Sequence, residues 1–273
     1  MELIEILKVV VLGIVEGVTE WLPISSTGHM LLVDEFIHMN VSESFKDMFF
    51  VVIQLGAILA VVMLFWDKMW PFRTKDKSKP VIRKDVFSMW FKVVVACIPG
   101  AIVTLLFDDY IEAHLHTPTV IALALVVYGV AFIVIENWNK NRTPKVLTLE
   151  DISYKTAFII GLFQVLSIIP GTSRSGSTII GALTIGVSRV AAAEFTFFLA
   201  VPVMIGLSFI KILKFGFSFT SVELMTLAIG CVVAFLVSVL VIKFLMSYIK
   251  KRDFKIFGWY RIVLGVILLL YFM

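Results

Sequence analysis

Four stretches of this chain, near 48–66, 119–137, 222–242 and 256–273, run apolar for the length of a membrane span and carry at most one charged residue each. A segment of that kind must satisfy its backbone polar groups internally, so each is expected to be an α-helix. Two more, near 90–107 and 194–210, contain Pro99 and Pro202 but are long enough to span. Proline is tolerated there because neighbouring helices satisfy the freed backbone groups. Composition agrees: 60% of the 273 residues are hydrophobic and 16% are charged, against about 25% charged in a soluble domain. That balance excludes a soluble enzyme, a disordered chain and a coiled-coil rod.

Two further apolar regions are interrupted. Residues 3–37 contain Pro23-Ile24-Ser25-Ser26-Thr27-Gly28-His29, and residues 156–187 contain Pro170-Gly171-Thr172-Ser173-Arg174-Ser175-Gly176-Ser177-Thr178. Each leaves a helical piece, a polar break and an apolar piece of about ten residues, too short to span and better suited to a re-entrant hairpin. Irregular backbone at membrane depth survives only where it is buried in protein or lines a wet cavity.

The net charge is +4, but the cations flank apolar runs, so they report membrane orientation and no nucleic-acid partner is expected. Segments 67–90, 138–155 and 243–256 hold sixteen of the 24 Lys and Arg. The connection 108–118 holds Asp108, Asp109 and Glu112 and neither Lys nor Arg. The three basic segments are therefore expected inside and 108–118 outside, with Lys211 and Lys214 as external exceptions. On this assignment the first broken region opens outward, the second opens inward, and both termini lie outside. An offset of 148 pairs Gly13 with Gly161, Glu16 with Gln164, Ser25 with Ser173, Gly28 with Gly176, Phe49 with Phe197 and Phe50 with Phe198. The expected fold is an all-α integral membrane protein: one domain over 1–273, with six spanning helices and two re-entrant helical hairpins. The halves, approximately 1–137 and 150–273, form an inverted-topology repeat. The N-terminus lacks a basic start and a small-residue cleavage site, so it does not read as a signal peptide. Cys97 and Cys231 lie in apolar stretches and read as buried thiols.

Ionisable groups inside membrane segments are costly. Glu5, Lys8, Glu223 and Arg261 fit positions near an interface. Glu16, Glu20, His29 and Arg174 instead cluster at the breaks. The i, i+4 spacing of Glu16 and Glu20 puts both carboxylates on one helix face. That pair fits a Mg²⁺ or Ca²⁺ site with open positions for phosphate oxygens. Among Ser25, Ser26, Thr27 and His29, one hydroxyl is expected to cap the next helix. Another could be a nucleophile, with His29 as its base. In the second break, glycines free the backbone. Ser173, Ser175 and Thr178 supply hydroxyls, and Arg174 supplies a planar fork, so the loop reads as an anion cradle for phosphate.

These two strings, Glu16-Gly-Val-Thr-Glu20-Trp-Leu-Pro-Ile-Ser-Ser-Thr-Gly-His29 and Pro170–Thr178, make the chain resemble the undecaprenyl-diphosphate phosphatase family linked to bacitracin resistance. The resemblance covers essentially the whole chain. It implies a multi-pass enzyme of the bacterial inner (plasma) membrane, with its active site open to the external side. The implied reaction converts the C55 isoprenyl lipid undecaprenyl diphosphate to undecaprenyl phosphate, with a divalent cation required. The expected catalytic set is Glu16, Glu20, Ser26, His29 and Arg174, with Glu16 and Glu20 on the metal. Ser25, Thr27, Gly171, Ser173, Ser175, Gly176 and Thr178 are expected to bind phosphate. Either Ser26 or a metal-bound water attacks phosphorus; the residues leave both open. Partners are the lipid substrate and the membrane, and a homodimer stays open. The rival reading is a lipid-phosphate flippase or anion transporter, because broken helices in inverted repeats also build transporters.

Overall fold

A computed structural model describes residues 2–73, 80–115 and 117–272, with backbone alone for 108–113. Lys75, Lys77, Lys79, His116 and the side chains of Asp108, Asp109 and Glu112 thus lie outside the described residues.

The described chain is helical, in the order α1 (Leu3–Thr19), α2 (Ser26–Phe36), α3 (Glu43–Val52), α4 (Gln54–Leu64), α5 (Trp66–Met69), α6 (Lys84–Leu115), α7 (Pro118–Asn139), α8 (Tyr154–Val165), α9 (Arg174–Thr184), α10 (Arg189–Phe215), α11 (Ser221–Ile249) and α12 (Lys255–Phe272). A 3₁₀ turn, Leu166–Ile168, extends α8. No β-strand forms among the described residues, only two isolated bridges.

Six helices are long and apolar enough to cross a membrane: Glu43–Leu64, Lys84–Phe107, Pro118–Asn139, Arg189–Phe215, Ser221–Ile249 and Lys255–Phe272. They coincide with the six expected spans. The first is α3 and α4 joined at Ile53, whose carbonyl accepts from the Gly56 amide at 3.0 Å. The expected connection at 108–118 is shorter than the sequence indicates. Helix α6 continues to Leu115, and α7 restarts at Pro118, where Thr117 caps it by accepting from the Val120 amide at 3.3 Å. Proline at the first helical position forfeits no intrahelical bond.

Large apolar side chains point outward along the spans, as at Leu105, Leu240 and Leu270. Glu16, Glu20, Glu136 and Arg261 are buried inside. That inside-out distribution belongs to a multi-pass membrane protein.

Helix pairing repeats between the halves. Helix α1 packs on α11 as α8 packs on α6, while α7 packs on α12. Exchanging the first five spanning or broken elements for the last five maps this pairing onto itself. Close approach needs glycine at matching places. A Cβ on Gly13 would sit 2.9 Å from Val233 Cβ, and one on Gly161 would sit 2.4 Å from the Ala96 carbonyl oxygen. Small residues let helices approach where lipid supplies no hydrophobic drive.

The two short helices sit differently. Nearly all of α9 is buried, from Ser175 to Leu183. Helix α2 buries only Gly28, His29 and Met30, and Phe36 is exposed. The breaks themselves are similarly buried; the helix after the second lies in the core, and the helix after the first lies at the edge.

Candidate active site

Both breaks are built by the same device. Ser25 and Ser173, 148 residues apart, are the only described non-glycine residues with positive φ, at 76° and 73°. Each caps the following helix by accepting from a glycine amide three residues on, Gly28 at 3.3 Å and Gly176 at 3.1 Å. Such backbone strain, roughly 1–3 kcal/mol per residue, persists only where surroundings over-determine it.

The device brings the first residues of α2 and α9, Ser26 and Arg174, to one carboxylate. Ser26 Oγ donates to Glu20 Oε2 at 2.6 Å, and Arg174 Nη2 donates to Glu20 Oε1 at 2.9 Å. Ser175 Oγ donates to the Glu20 backbone carbonyl at 3.2 Å, and Arg174 Nη1 donates to the Thr196 carbonyl at 3.0 Å. These groups are buried or nearly so: the Glu20 side chain is 5% exposed and that of Arg174 is 11%.

Glu16 lies one turn before Glu20 on the same face of α1, as its spacing requires. It is 1% exposed, and neither carboxylate oxygen has a protein partner. A carboxylate in that state needs a cation or a proton. Glu16 lines a cavity of about 310 Å³ with Thr27, Asp47, Gln54 and Lys211 as its polar members. Met30, Leu31, Phe50 and Leu207 form its apolar wall. An amphiphile with a charged head fits that division.

No group of three or more His, Cys, Asp and Glu able to hold a metal occurs among the described residues. The donor set is nevertheless suited to Mg²⁺ or Ca²⁺ in one specific way. Such ions accept one or two carboxylates and fill the rest of the shell with water and substrate phosphate. Glu16 offers two free oxygens, and Glu20 stands beside it.

His29 has other partners than Ser26. Its Nδ1 is 2.7 Å from the Ser25 carbonyl and its Nε2 is 2.7 Å from Tyr260 Oη, with the two rings stacked at 5.6 Å. A carbonyl only accepts, so Nδ1 donates, and Nε2 of the neutral ring accepts from the tyrosine.

The remaining loop residues divide by contact. Ser173 Oγ pairs with Ser175 Oγ at 3.1 Å. Thr178 Oγ1 turns back to the Arg174 carbonyl at 3.0 Å and pairs with Thr196 Oγ1 at 2.8 Å. Gly171, at φ 93°, lies where a Cβ would be 2.5 Å from the Ile121 carbonyl oxygen. Thr178 and Gly171 thus meet protein.

Arg261 corrects the sequence reading. Expected near an interface, it is completely buried. It donates to the carbonyls of Pro23 at 3.0 Å, Gly171 at 2.7 Å and Thr172 at 3.0 Å. The breaks release carbonyls that need donors, and one guanidinium serves both. Its only sequence signal is a lone arginine within a span. Lys211 was visible as an exception to the charge rule; its place on the Glu16 cavity was not. Glu5 and Lys8 pair with each other at 2.7 Å, and Glu223 completes a capping box with Thr220.

Fold and site together define a multi-pass membrane protein with a buried serine–carboxylate–arginine cluster where two broken helices meet. Residues 9–267 match the family model described as bacitracin resistance protein BacA, and the chain belongs to that family. It is 74% identical to an undecaprenyl-diphosphatase of Enterococcus faecalis over 270 residues, covering 99% of this chain and 98% of the relative. It is 62% identical to an undecaprenyl-diphosphatase of Desulfitobacterium hafniense over 273 residues, covering 100% and 98%. It is 56% identical to one of Streptococcus thermophilus over 272 residues, covering 98% and 94%.

Proposed function

We infer that this protein hydrolyses undecaprenyl diphosphate to undecaprenyl phosphate and inorganic phosphate in the bacterial plasma membrane. Among the site's own features, the convergence of Ser26 and Arg174 on the two oxygens of Glu20 carries this reading. Family membership and the names of the relatives point the same way.

The chemistry is phosphoryl transfer, in which positioning and charge compensation do most of the work. Arg174 forks onto the terminal phosphoryl oxygens and leaves Glu20 Oε1. Glu20 Oε2 already accepts the Ser26 hydroxyl and is placed to take its proton. Ser26 Oγ attacks the terminal phosphorus in line, its proton passes to Glu20, and the bridging P–O bond breaks. Undecaprenyl phosphate departs, with Glu20 returning the proton to the leaving oxygen. Water then attacks the phosphoserine phosphorus; its proton passes through Glu20 to Ser26 Oγ as the P–O bond breaks, and inorganic phosphate leaves. This assigns the base to Glu20, while His29 positions the first break through Ser25 and Tyr260. Glu16, with Glu20, would hold a divalent cation, which would neutralise diphosphate charge. Lys211, on the same cavity, meets the headgroup as it enters.

In the membrane, the two hairpins are re-entrant from opposite faces and both termini are external. The Glu16 cavity then faces outward, on the side of the partly exposed helix α2. Transport explains broken helices as well, but it has no use for a serine hydrogen-bonded to a buried carboxylate beside an arginine. The test is phosphate release from a short-chain isoprenyl diphosphate in detergent, with and without EDTA. Release that EDTA abolishes and Mg²⁺ or Ca²⁺ restores is the expected result. A micelle has no two sides, so a pure transporter releases nothing.

A further inference from the structure

A cavity of about 820 Å³ lies away from the cluster on Glu20, at the opposite end of α9 from Arg174. Helix α9 begins at Arg174 and ends at Thr184 on this cavity; α10 begins there at Arg189 and reaches Thr196, the partner of Arg174.

Its lining holds Lys140, Arg142, Lys145, Arg189 and Lys250 against a single acid, Glu136. That acid is already spent. Arg189 Nε donates to Glu136 Oε1 at 2.9 Å, and the Phe254 amide donates to the same oxygen at 3.0 Å. Arg142 lies over the Trp138 ring at 3.9 Å. The ammonium groups of Lys140, Lys145 and Lys250 form no ion pair among the described residues. The strap bearing Lys145 is pinned in place, with Lys145 and Val146 amides donating to the Gly186 carbonyl at 2.8 and 3.2 Å. Ser188 N closes it by donating to the Val146 carbonyl at 2.8 Å. Orientation in a membrane requires cations near span ends. It does not require three unpaired ammonium groups around one concavity, where they repel.

We propose that this cavity is a second anion site, taking a phosphate group carried by an anionic lipid headgroup or by free phosphate. Lysines bind phosphate as point charges, and Arg142 supplies a directional donor on the same lining. The assignment is independent of the catalytic reading.

The experiment uses the full chain in phosphatidylcholine nanodiscs, with and without phosphatidylglycerol, and compares wild type with K140Q/K145Q/K250Q. These lysines are exposed, and unchanged turnover and melting temperature confirm that the variant folds. Native mass spectrometry counts retained phosphatidylglycerol, and equilibrium dialysis counts bound inorganic phosphate. The expected result is one fewer bound lipid or phosphate per chain in the triple variant, with affinity for it roughly a hundredfold weaker. Loss of phosphatidylglycerol alone assigns the lipid headgroup, and loss of phosphate alone assigns the free ion. If the triple variant retains both as wild type does, the site is overturned. A wild type that binds no phosphatidylglycerol and only the one phosphate removed by R174A also overturns it.

Discussion

The two breaks share a backbone and differ in chemistry. Ser25 and Ser173 adopt the same unusual φ, cap in the same way and stand at the same offset. Yet the residue after each cap is Ser26 in one and Arg174 in the other, and Gln164 stands where the first half has Glu16. The helices that follow differ: α9 is buried almost throughout, while α2 lies at the edge beside the Glu16 cavity. One backbone device thus presents different side chains at its two occurrences. The first break brings Ser26 to Glu20, and the second brings Arg174 to the same carboxylate. On the proposed mechanism, a site with arginine on both sides would lack a nucleophile, and one with serine on both would lack charge compensation.

That division is easiest to break at its shared carboxylate. Glu20→Gln and Arg174→Ala are each expected to lower phosphate release by about 10³-fold or more, with the protein still folded. Near-normal release in either variant would remove the site assignment. Ser26→Ala separates the serine from a water as nucleophile. The expected loss is at least about 100-fold in kcat with KM almost unchanged, and acid quench of wild type should trap a phosphoserine. Full activity in that variant would hand the attack to water. Arg261→Met tests whether the two breaks need their common tether. Three buried carbonyls lose their donor, at a cost of about 3 kcal/mol or more in stability, and kcat falls with it. Arg261→Lys should recover part of both, since an ammonium reaches fewer carbonyls at once. The smallest effect belongs to Lys211→Gln, where KM should rise severalfold and kcat stay near wild type. An unchanged KM would show that the headgroup does not pass that lysine.

Much of this was legible in one dimension because membrane spans and their interruptions leave strong marks. The six spans needed only length and polarity, since lipid forbids any other spanning element for such segments. Both breaks announced themselves through proline, glycine and hydroxyls inside apolar surroundings. Glu16, Glu20 and Arg174 stood out because a charge there is costly and needs a reason. The pairing of Ser26 with Glu20 in place of His29 was not legible. His29 is nearer to Ser26 in sequence, but both its ring nitrogens are occupied by Ser25 and by Tyr260, which lies on α12. Tyr260 carries no local signal and Arg261 only its charge within a span, because their hydrogen-bond partners lie 89 or more residues away.

The sequence by itself determined that this is an all-helical membrane protein with two polar breaks, and it named the charged residues at them. Periodicity, hydropathy and the cost of buried charge act locally, so they survive in the linear order of residues. Only the tertiary structure decided that Ser26 and Arg174 share one carboxylate, that Arg261 holds the two breaks together, and that Glu16 is left without a protein partner. Those facts depend on which helix ends meet, and a hydrogen bond between distant segments is fixed by packing that no short stretch encodes.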